Sequence, residues 1–239
     1  MRLQFPERAR SFDAWAGDYD RYRPGYPDVL FEEIRGRLAL PSQPRVVDLG
    51  AGTGRASLAM VALGWRVTAV EPGKPMLDVL RAQATNQGLV LATVQATAES
   101  TGLESGRFQV VLCTQVLEHV TDPWAAAREI ARLLPVGGQA VVSVPHVWFF
   151  HPHPRDHWRF TQQGLLQLVE SAGLTPVSLL AQGGSVLALC QILNFLAYGA
   201  VGRKGAPLYA MLNAAAGADR LIRNDLFCLN FACLARKDG

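Results

Sequence analysis

Val46-Val47-Asp48-Leu49-Gly50-Ala51-Gly52-Thr53-Gly54 is the stretch on which the fold turns. A short apolar run of strand type enters a glycine-rich turn, and residues 54–63 carry a helical pattern. Gly50 and Gly52 let the backbone turn tightly and approach a ligand with no Cβ in the way. The spacing Gly-x-Gly-x-Gly differs from the dinucleotide spacing Gly-x-Gly-x-x-Gly. The acidic Asp48 precedes it. A pyrophosphate is repelled by that carboxylate and an ammonium group is attracted. The turn therefore suits a cofactor with a cationic amino-acid tail.

Outward from this turn, residues 66–70 read as the next strand, which ends at Glu71. An acidic residue about twenty positions on, at a strand's C-terminal end, is placed to accept from ribose hydroxyls. Ala96-Thr97-Ala98-Glu99 follows an extended segment over 90–95 and offers a place for a purine edge. Further strands are predicted over 108–113 and 139–144, with helices over 74–83 and 124–133. Strands alternating with helices imply a parallel α/β sheet with right-handed crossovers. Beyond it, Thr161 is expected to cap a helix ending at Gly173, and 175–180 and 225–235 read as strands. Between those strands lies a helical stretch, 185–223, split at 202–207.

The chain has 239 residues, 49% hydrophobic and 18% charged, enough apolar material for a sizeable core and against a disordered chain. Net charge is +3 with no polybasic run, so nucleic acid is not an expected partner. Cys113, Cys190, Cys228 and Cys233 sit in apolar runs without a Cys-x-x-Cys pair and read as buried thiols in a reducing compartment. Residues 1–10 lack an apolar core of signal-peptide type. The longest apolar run, 186–201, is shorter than the roughly 20 residues that span a bilayer. A cytoplasmic protein without a transmembrane segment is expected.

Together these motifs resemble the class I S-adenosylmethionine-dependent methyltransferases, in particular the small-molecule, type 11-like group. The resemblance covers residues 11–180 in an unbroken order of motifs. Residues 46–54 resemble the family's first motif, and Val70-Glu71-Pro72 the second, with Met76 where an apolar side chain packs near the adenine. Thr97 stands where many relatives carry a carboxylate. Residues 108–120 resemble the Phe-Asp-x-Val…Leu-Glu-His-Val motif, with Gln109 for Asp, and 133–145 the Leu-x-Pro-Gly-Gly segment. The N-terminal segment, with Tyr-Asp-Arg-Tyr-Arg-Pro-Gly-Tyr-Pro at 19–27, is similar to a family element that folds over the cofactor. The resemblance implies a Rossmann-like fold: a mainly parallel seven-stranded sheet, helices on both faces and a helical C-terminal insertion. It divides one domain, 1–239, into an N-terminal helical cap (1–44), a cofactor-binding core (45–181), the insertion (182–224) and a last strand (225–239). It implies S-adenosyl-L-methionine as cofactor and S-adenosyl-L-homocysteine as product. The binding residues it implies are Tyr19, Arg23, Asp48, Gly50, Ala51, Gly52, Gly54, Glu71, Pro72, Met76, Thr97, Ala98, Glu99, Thr114 and Gln115.

Methyl transfer is an in-line displacement with a neutral leaving group, so an enzyme mainly positions the nucleophile. A hydroxyl acceptor also needs a base. His119, in Leu117-Glu118-His119-Val120, and His146, His151, His153 and His157 are the candidates. The loop 145–161 combines histidine, tryptophan, Asp156 and Arg159 and reads as an aromatic-walled acceptor pocket, suited to a sugar or another flat amphipathic molecule. It resembles a stretch seen in bacterial methyltransferases of polysaccharide or glycoconjugate synthesis. The same residues also suit an ordered loop, with Asp156 paired to Arg159 and Thr161 capping the next helix. No metal site is assigned: prolines flank His151-x-His153, and no carboxylate cluster accompanies it. The expected partner is a small-molecule acceptor, glycosylated or lipid-linked, with oxygen as the acceptor atom. Transfer to nitrogen or carbon, or a non-catalytic cofactor-binding module, are the alternatives. The apolar stretch 185–223 reads as a lid over the acceptor pocket hinged at Gly183-Gly184, as a packed hairpin, or as a homodimer interface.

Overall fold

The computed structural model describes residues 28–151, 155–221 and 227–239. Tyr19, Arg23 and His153 lie outside the described residues. β1 (Arg45–Leu49) and β4 (Val110–Thr114) are short apolar runs with nearly every residue buried, as central parallel strands require. They pair in parallel, Val46 opposite Val110 and Leu49 opposite Cys113. β1 also pairs with β2 (Arg66–Val70), and β2 with β3 (Ala92–Val94). On the other side β4 pairs with β5 (Gln139–Pro145). β7 (Asn230–Lys237) runs antiparallel between β5 and β6 (Leu174–Gln182), which gives a seven-stranded sheet of order β3-β2-β1-β4-β5-β7-β6. The winding direction reverses between β1 and β4, and the crevice beyond their C-terminal ends is the place where such sheets bind ligands.

The period-two alternation of the strands feeds two apolar layers. Val46, Val110 and Leu112 join Phe31 of α1 (Asp28–Arg37), Met60 of α2 (Arg55–Ala62) and Trp65 on one face. Val47, Leu49, Val111 and Cys113 face the other layer. There they meet Ile130 and Leu133 of α4 (Pro123–Leu133) and Leu165 of α5 (Gln162–Ser171). Local sequence starts these helices: the Asp122 carboxylate accepts from Ala125 N–H at 3.0 Å, with Pro123 in the first turn, and Thr161 Oγ1 accepts from Gly164 N–H at 3.1 Å. α3 (Lys74–Asn86) follows β2.

Three expectations are corrected. The extended segment at 90–95 forms only a three-residue strand, Ala92–Val94, because it pairs with β2 alone. The last strand begins at Asn230 rather than 225, where pairing to Gln182 starts. Gly183-Gly184 is not an open hinge. The Asp219 carboxylate accepts from the N–H groups of Gly184, Val186 and Leu187 at 2.8–3.2 Å and fastens the first turn of α6 (Ser185–Val201). α6 turns back through residues 202–205 into α7 (Ala206–Ala216), and Asn194 Nδ2 donates to Asn213 Oδ1 at 2.9 Å between them. This hairpin is packed along its inner side, yet Leu189, Leu193, Phe195 and Leu196 are each half exposed or more. Among the described residues, no helix is long and apolar enough to cross a membrane.

Glu129 of α4 is buried and accepts from both the N–H and the O–H of Thr101, which pins the segment after β3 to α4. Arg132 donates to the same carboxylate at 2.6 and 2.7 Å. Burial opposes the charge, but Arg132 and Thr101 hold the Glu129 carboxyl down at about 2, against an ordinary 4.5. Glu129→Ala is expected to destabilise the fold by about 2–4 kcal/mol in chemical denaturation. The folded-state value lies below the unfolded one, so the contribution is complete above pH 4.5 and is lost as pH falls toward 2. The gap between wild type and variant should close over that window.

Candidate functional site

The turn after β1 is held by backbone geometry. Gly50 N–H and Ala51 N–H both donate to Val70 C=O, at 2.8 and 3.0 Å, which folds the turn onto the end of β2. Gly50 has φ +68° and a Cβ there would lie 2.4 Å from Val116 Cγ2, so a side chain is excluded by conformation and by space. Gly52 has φ +56° but open space where its Cβ would be. Backbone is therefore laid bare at Gly52, on the crevice side of the turn.

Glu71 reaches across to this turn. Its Oε2 accepts from Gly52 N–H at 3.0 Å and its Oε1 from Gly73 N–H at 2.9 Å. The carboxylate thus ties the β1 turn to the β2 turn and stays half-buried at the crevice. Asp48 is 3% exposed and accepts from Ser57 Oγ of α2 at 2.6 Å. Met76 is buried beside Gly73. The segment 96–99 lies past β3: Thr97 is exposed, Ala98 is buried, and Glu99 accepts from Thr121 N–H at 3.2 Å, fastening it to the turn before α4. Pro72 is exposed and Thr114 half-buried at the end of β4. Gln115 follows with φ +56°, its N–H donating to Ser143 C=O at 2.9 Å and its side chain to Ser143 Oγ. Gly50, Ala51, Gly52, Glu71, Thr114 and Gln115 thus meet at one edge of the sheet. Gly54 stands at the back of the turn, where its Cβ would lie 2.5 Å from Leu80 Cγ.

The histidines separate by role. His146 is braced, with Nδ1 2.9 Å from Phe160 C=O and its ring against Phe231. The His157 side chain is exposed, and its backbone N–H donates to Glu118 C=O at 2.7 Å. His119 and His151 come together edge to face, ring centroids 5.1 Å apart. His119 Nδ1 bonds to Arg155 C=O, and its Nε2 lies 3.8 Å from Glu118 Oε1. Burial holds the His119 pKa below the usual histidine value, partly offset by that carbonyl, so the ring is neutral at pH 7. Asp156 and Arg159 form a bidentate pair, and Arg159 also donates to Phe149 C=O at 2.8 Å. The order of the loop thus rests on the Asp156–Arg159 pair and the Thr161 cap. The trio Glu118, His119 and His151 is the grouping that sequence reasoning missed. The Leu117-Glu118-His119 motif and the histidine-rich loop each signalled half of it.

Residues 47–142 match the model of the methyltransferase domain family. Residues 47–142 are thus similar to that family's methyltransferase domain. An uncharacterised methyltransferase of Mycobacterium tuberculosis is 39% identical over 130 residues, 54% of this chain and 49% of that protein. A ubiquinone biosynthesis O-methyltransferase of Aeromonas salmonicida is 39% identical over 100 residues, 41% of this chain and 42% of the relative. The chain thus spans about half the length of the curated relatives it matches. In three dimensions it is similar to an S-adenosylmethionine-dependent methyltransferase of Clostridium acetobutylicum. The TM-score is 0.67 at 11% identity, over 95% of this chain and 99% of that one, a likeness of fold.

Glu71→Ala removes both the carboxylate at the crevice and the tie between two turns, and Glu71→Gln keeps an acceptor for one of them. In calorimetric titration with S-adenosylhomocysteine, Ala is expected to weaken binding tenfold or more, the about 1.5–3 kcal/mol of hydrogen bonds to a charged group. Gln should fall between Ala and wild type. Equal affinities in all three would remove Glu71 from the site.

Proposed function

We propose that the chain transfers the methyl group of S-adenosylmethionine to a hydroxyl oxygen of a small molecule. The observation that carries this reading is the Glu71 carboxylate set across the bare Gly52 backbone at the switch point of a methyltransferase sheet. In it, Glu71 is the acid that accepts from the ribose hydroxyls. Asp48 places negative charge under the methionine ammonium, and its bond to Ser57 fixes that charge. Gly50, Ala51, Gly52 and Gly54 carry the turn past the methionine moiety, beside Thr114 and Gln115. Pro72, Met76, Thr97, Ala98 and Glu99 border the adenine. We read Tyr19 and Arg23 as partners of the methionine carboxylate. The chain is one domain with the α6–α7 hairpin inserted, working in a reducing cytoplasm, in keeping with four buried cysteines, none in a disulfide.

Oxygen is favoured as the acceptor atom because His119 and His151 stand beyond the ends of β4 and β5, and the neutral His119 ring suits removal of a hydroxyl proton. The ubiquinone O-methyltransferase likeness runs the same way. The acceptor is a flat amphipathic molecule, a sugar ring among those that fit. A groove of about 420 Å³ is lined by Trp148, Phe195, Tyr198, Tyr209 and the amides of Gln191, Asn194 and Asn213. Phe195 of the hairpin stacks on Phe149 of the loop after β5, centroids 4.0 Å apart, so groove and loop are one surface.

Two outcomes test this reading with labelled cofactor and a panel of phenolic, sugar and amine acceptors. His119→Ala should lose turnover by about 10²–10⁴-fold, the usual worth of a group that moves a proton, with S-adenosylhomocysteine affinity kept. Phe195→Ser should raise the acceptor KM and leave cofactor binding and thermal stability unchanged. Transfer confined to amines, or unchanged turnover in His119→Ala, would overturn the oxygen reading. Joint loss of stability and cofactor binding in Phe195→Ser would assign the hairpin to core packing.

A further inference from the structure

We infer that Glu118, His119 and His151 form a binding site for one divalent transition cation of the zinc class. One carboxylate oxygen and one nitrogen from each imidazole all lie within 4.8 Å of one another. The three residues come from two neighbouring strand ends: Glu118 and His119 from the turn after β4, His151 from the loop after β5. Cation–ligand bonds of about 2.1 Å in a tetrahedral arrangement put ligand atoms about 3.4 Å apart. His119 Nε2 and Glu118 Oε1 already lie at 3.8 Å. Closing the set asks for side-chain shifts on the order of 1 Å.

The surroundings of each ring fix which nitrogen faces the cation. His119 Nδ1 is bonded to Arg155 C=O, an acceptor only, so Nδ1 carries the proton and Nε2 the lone pair. His151 Nδ1 lies 3.1 Å from Phe149 C=O and 3.2 Å from Asp156 Oδ2, again acceptors. Its Nε2 is therefore the nitrogen left to face the cation. Metal-ligating histidines are oriented in this way, by a carbonyl or carboxylate behind the ring. The charges facing the site are Glu118, Asp156 and the Arg159 guanidinium, which reaches 3.4 Å from His151 Nδ1 but is occupied by Asp156 in a bidentate pair. Glu118 is 1% exposed, and the His151 side chain, 33% exposed, leaves an approach from solvent.

Two imidazoles and one carboxylate leave a coordination position open, the arrangement of catalytic rather than structural sites. This consequence, unlike the binding itself, rests on the methyl-transfer reading. The acceptor hydroxyl takes the open position and releases its proton to solvent. The oxygen then forms its bond to the methyl carbon as the carbon–sulfur bond breaks, and neutral S-adenosylhomocysteine leaves with that electron pair. The two histidines then act through the cation instead of as free bases.

The test is cobalt(II) binding to the full chain stripped with a chelator, followed by its visible absorption and by competition with zinc. One equivalent is expected to bind, with an absorption that zinc abolishes. His151→Ala and Glu118→Gln should each weaken cobalt roughly tenfold or more, the scale set even by groups behind the ligands. His151 is partly exposed, so its variant should keep its melting temperature and its S-adenosylhomocysteine affinity. No saturable binding, or equal binding in wild type and His151→Ala, overturns the site. Cobalt binding without methyl transfer to any hydroxyl would leave the cation site standing and remove the transfer reading. Transfer unaffected by the chelator would do the reverse to the cation's catalytic role.

Discussion

The Glu71 carboxylate accepts one backbone N–H from the turn after β1 and another from the turn after β2. Both turns end central parallel strands, and neither glycine brings a side chain of its own. The distance between them is therefore set by an acid that both share. With Gly50 and Ala51 bonded to Val70 C=O, the loop has no independent freedom, and bare backbone at Gly52 faces the crevice. Asp48, buried one step below and held by Ser57, adds negative charge without adding motion.

The sheet explains why the histidine-bearing side is assembled from distant segments. β4 and β5 are neighbours, so the turn at 115–119 and the loop from 146 onward rise side by side. His157 N–H donates to Glu118 C=O, and Trp158 Nε1–H donates to Val120 C=O at 3.0 Å, which stitches the two loops together. Asp156 serves twice in this seam: it neutralises Arg159 and orients His151. Asp156 is thereby held inside a segment rich in charge and aromatic rings.

Much of this was legible in the sequence, for physical reasons that differ by element. β1, β2, β4 and β5 were readable because strands buried on both faces are apolar runs, and β1, β2 and β5 ended at a glycine, an acid and a proline. The glycine turn and the acid beside it were readable because the pattern is local: one turn, one acid at the next strand end. The short β3 was overdrawn because an edge strand has a partner on one side only. The fixing of Gly184 was invisible because Asp219 closes over it from 35 residues away. The Glu118–His119–His151 trio was out of reach for the same reason: it depends on which strand lies beside β4, which no local pattern states. Which apolar residues of the hairpin are exposed was not legible, since composition gives a helix its greasiness but not its neighbours.

The central claim is that the β1 turn, with Asp48 beneath it and Glu71 across it, selects a cofactor with a cationic amino-acid tail over a pyrophosphate. The most direct measurement is calorimetric titration of the unaltered chain with S-adenosylhomocysteine and, separately, with a nicotinamide dinucleotide. The account predicts saturable one-to-one binding of S-adenosylhomocysteine and no heat of binding from the dinucleotide. Saturable binding of the dinucleotide, with S-adenosylhomocysteine inert, would contradict it.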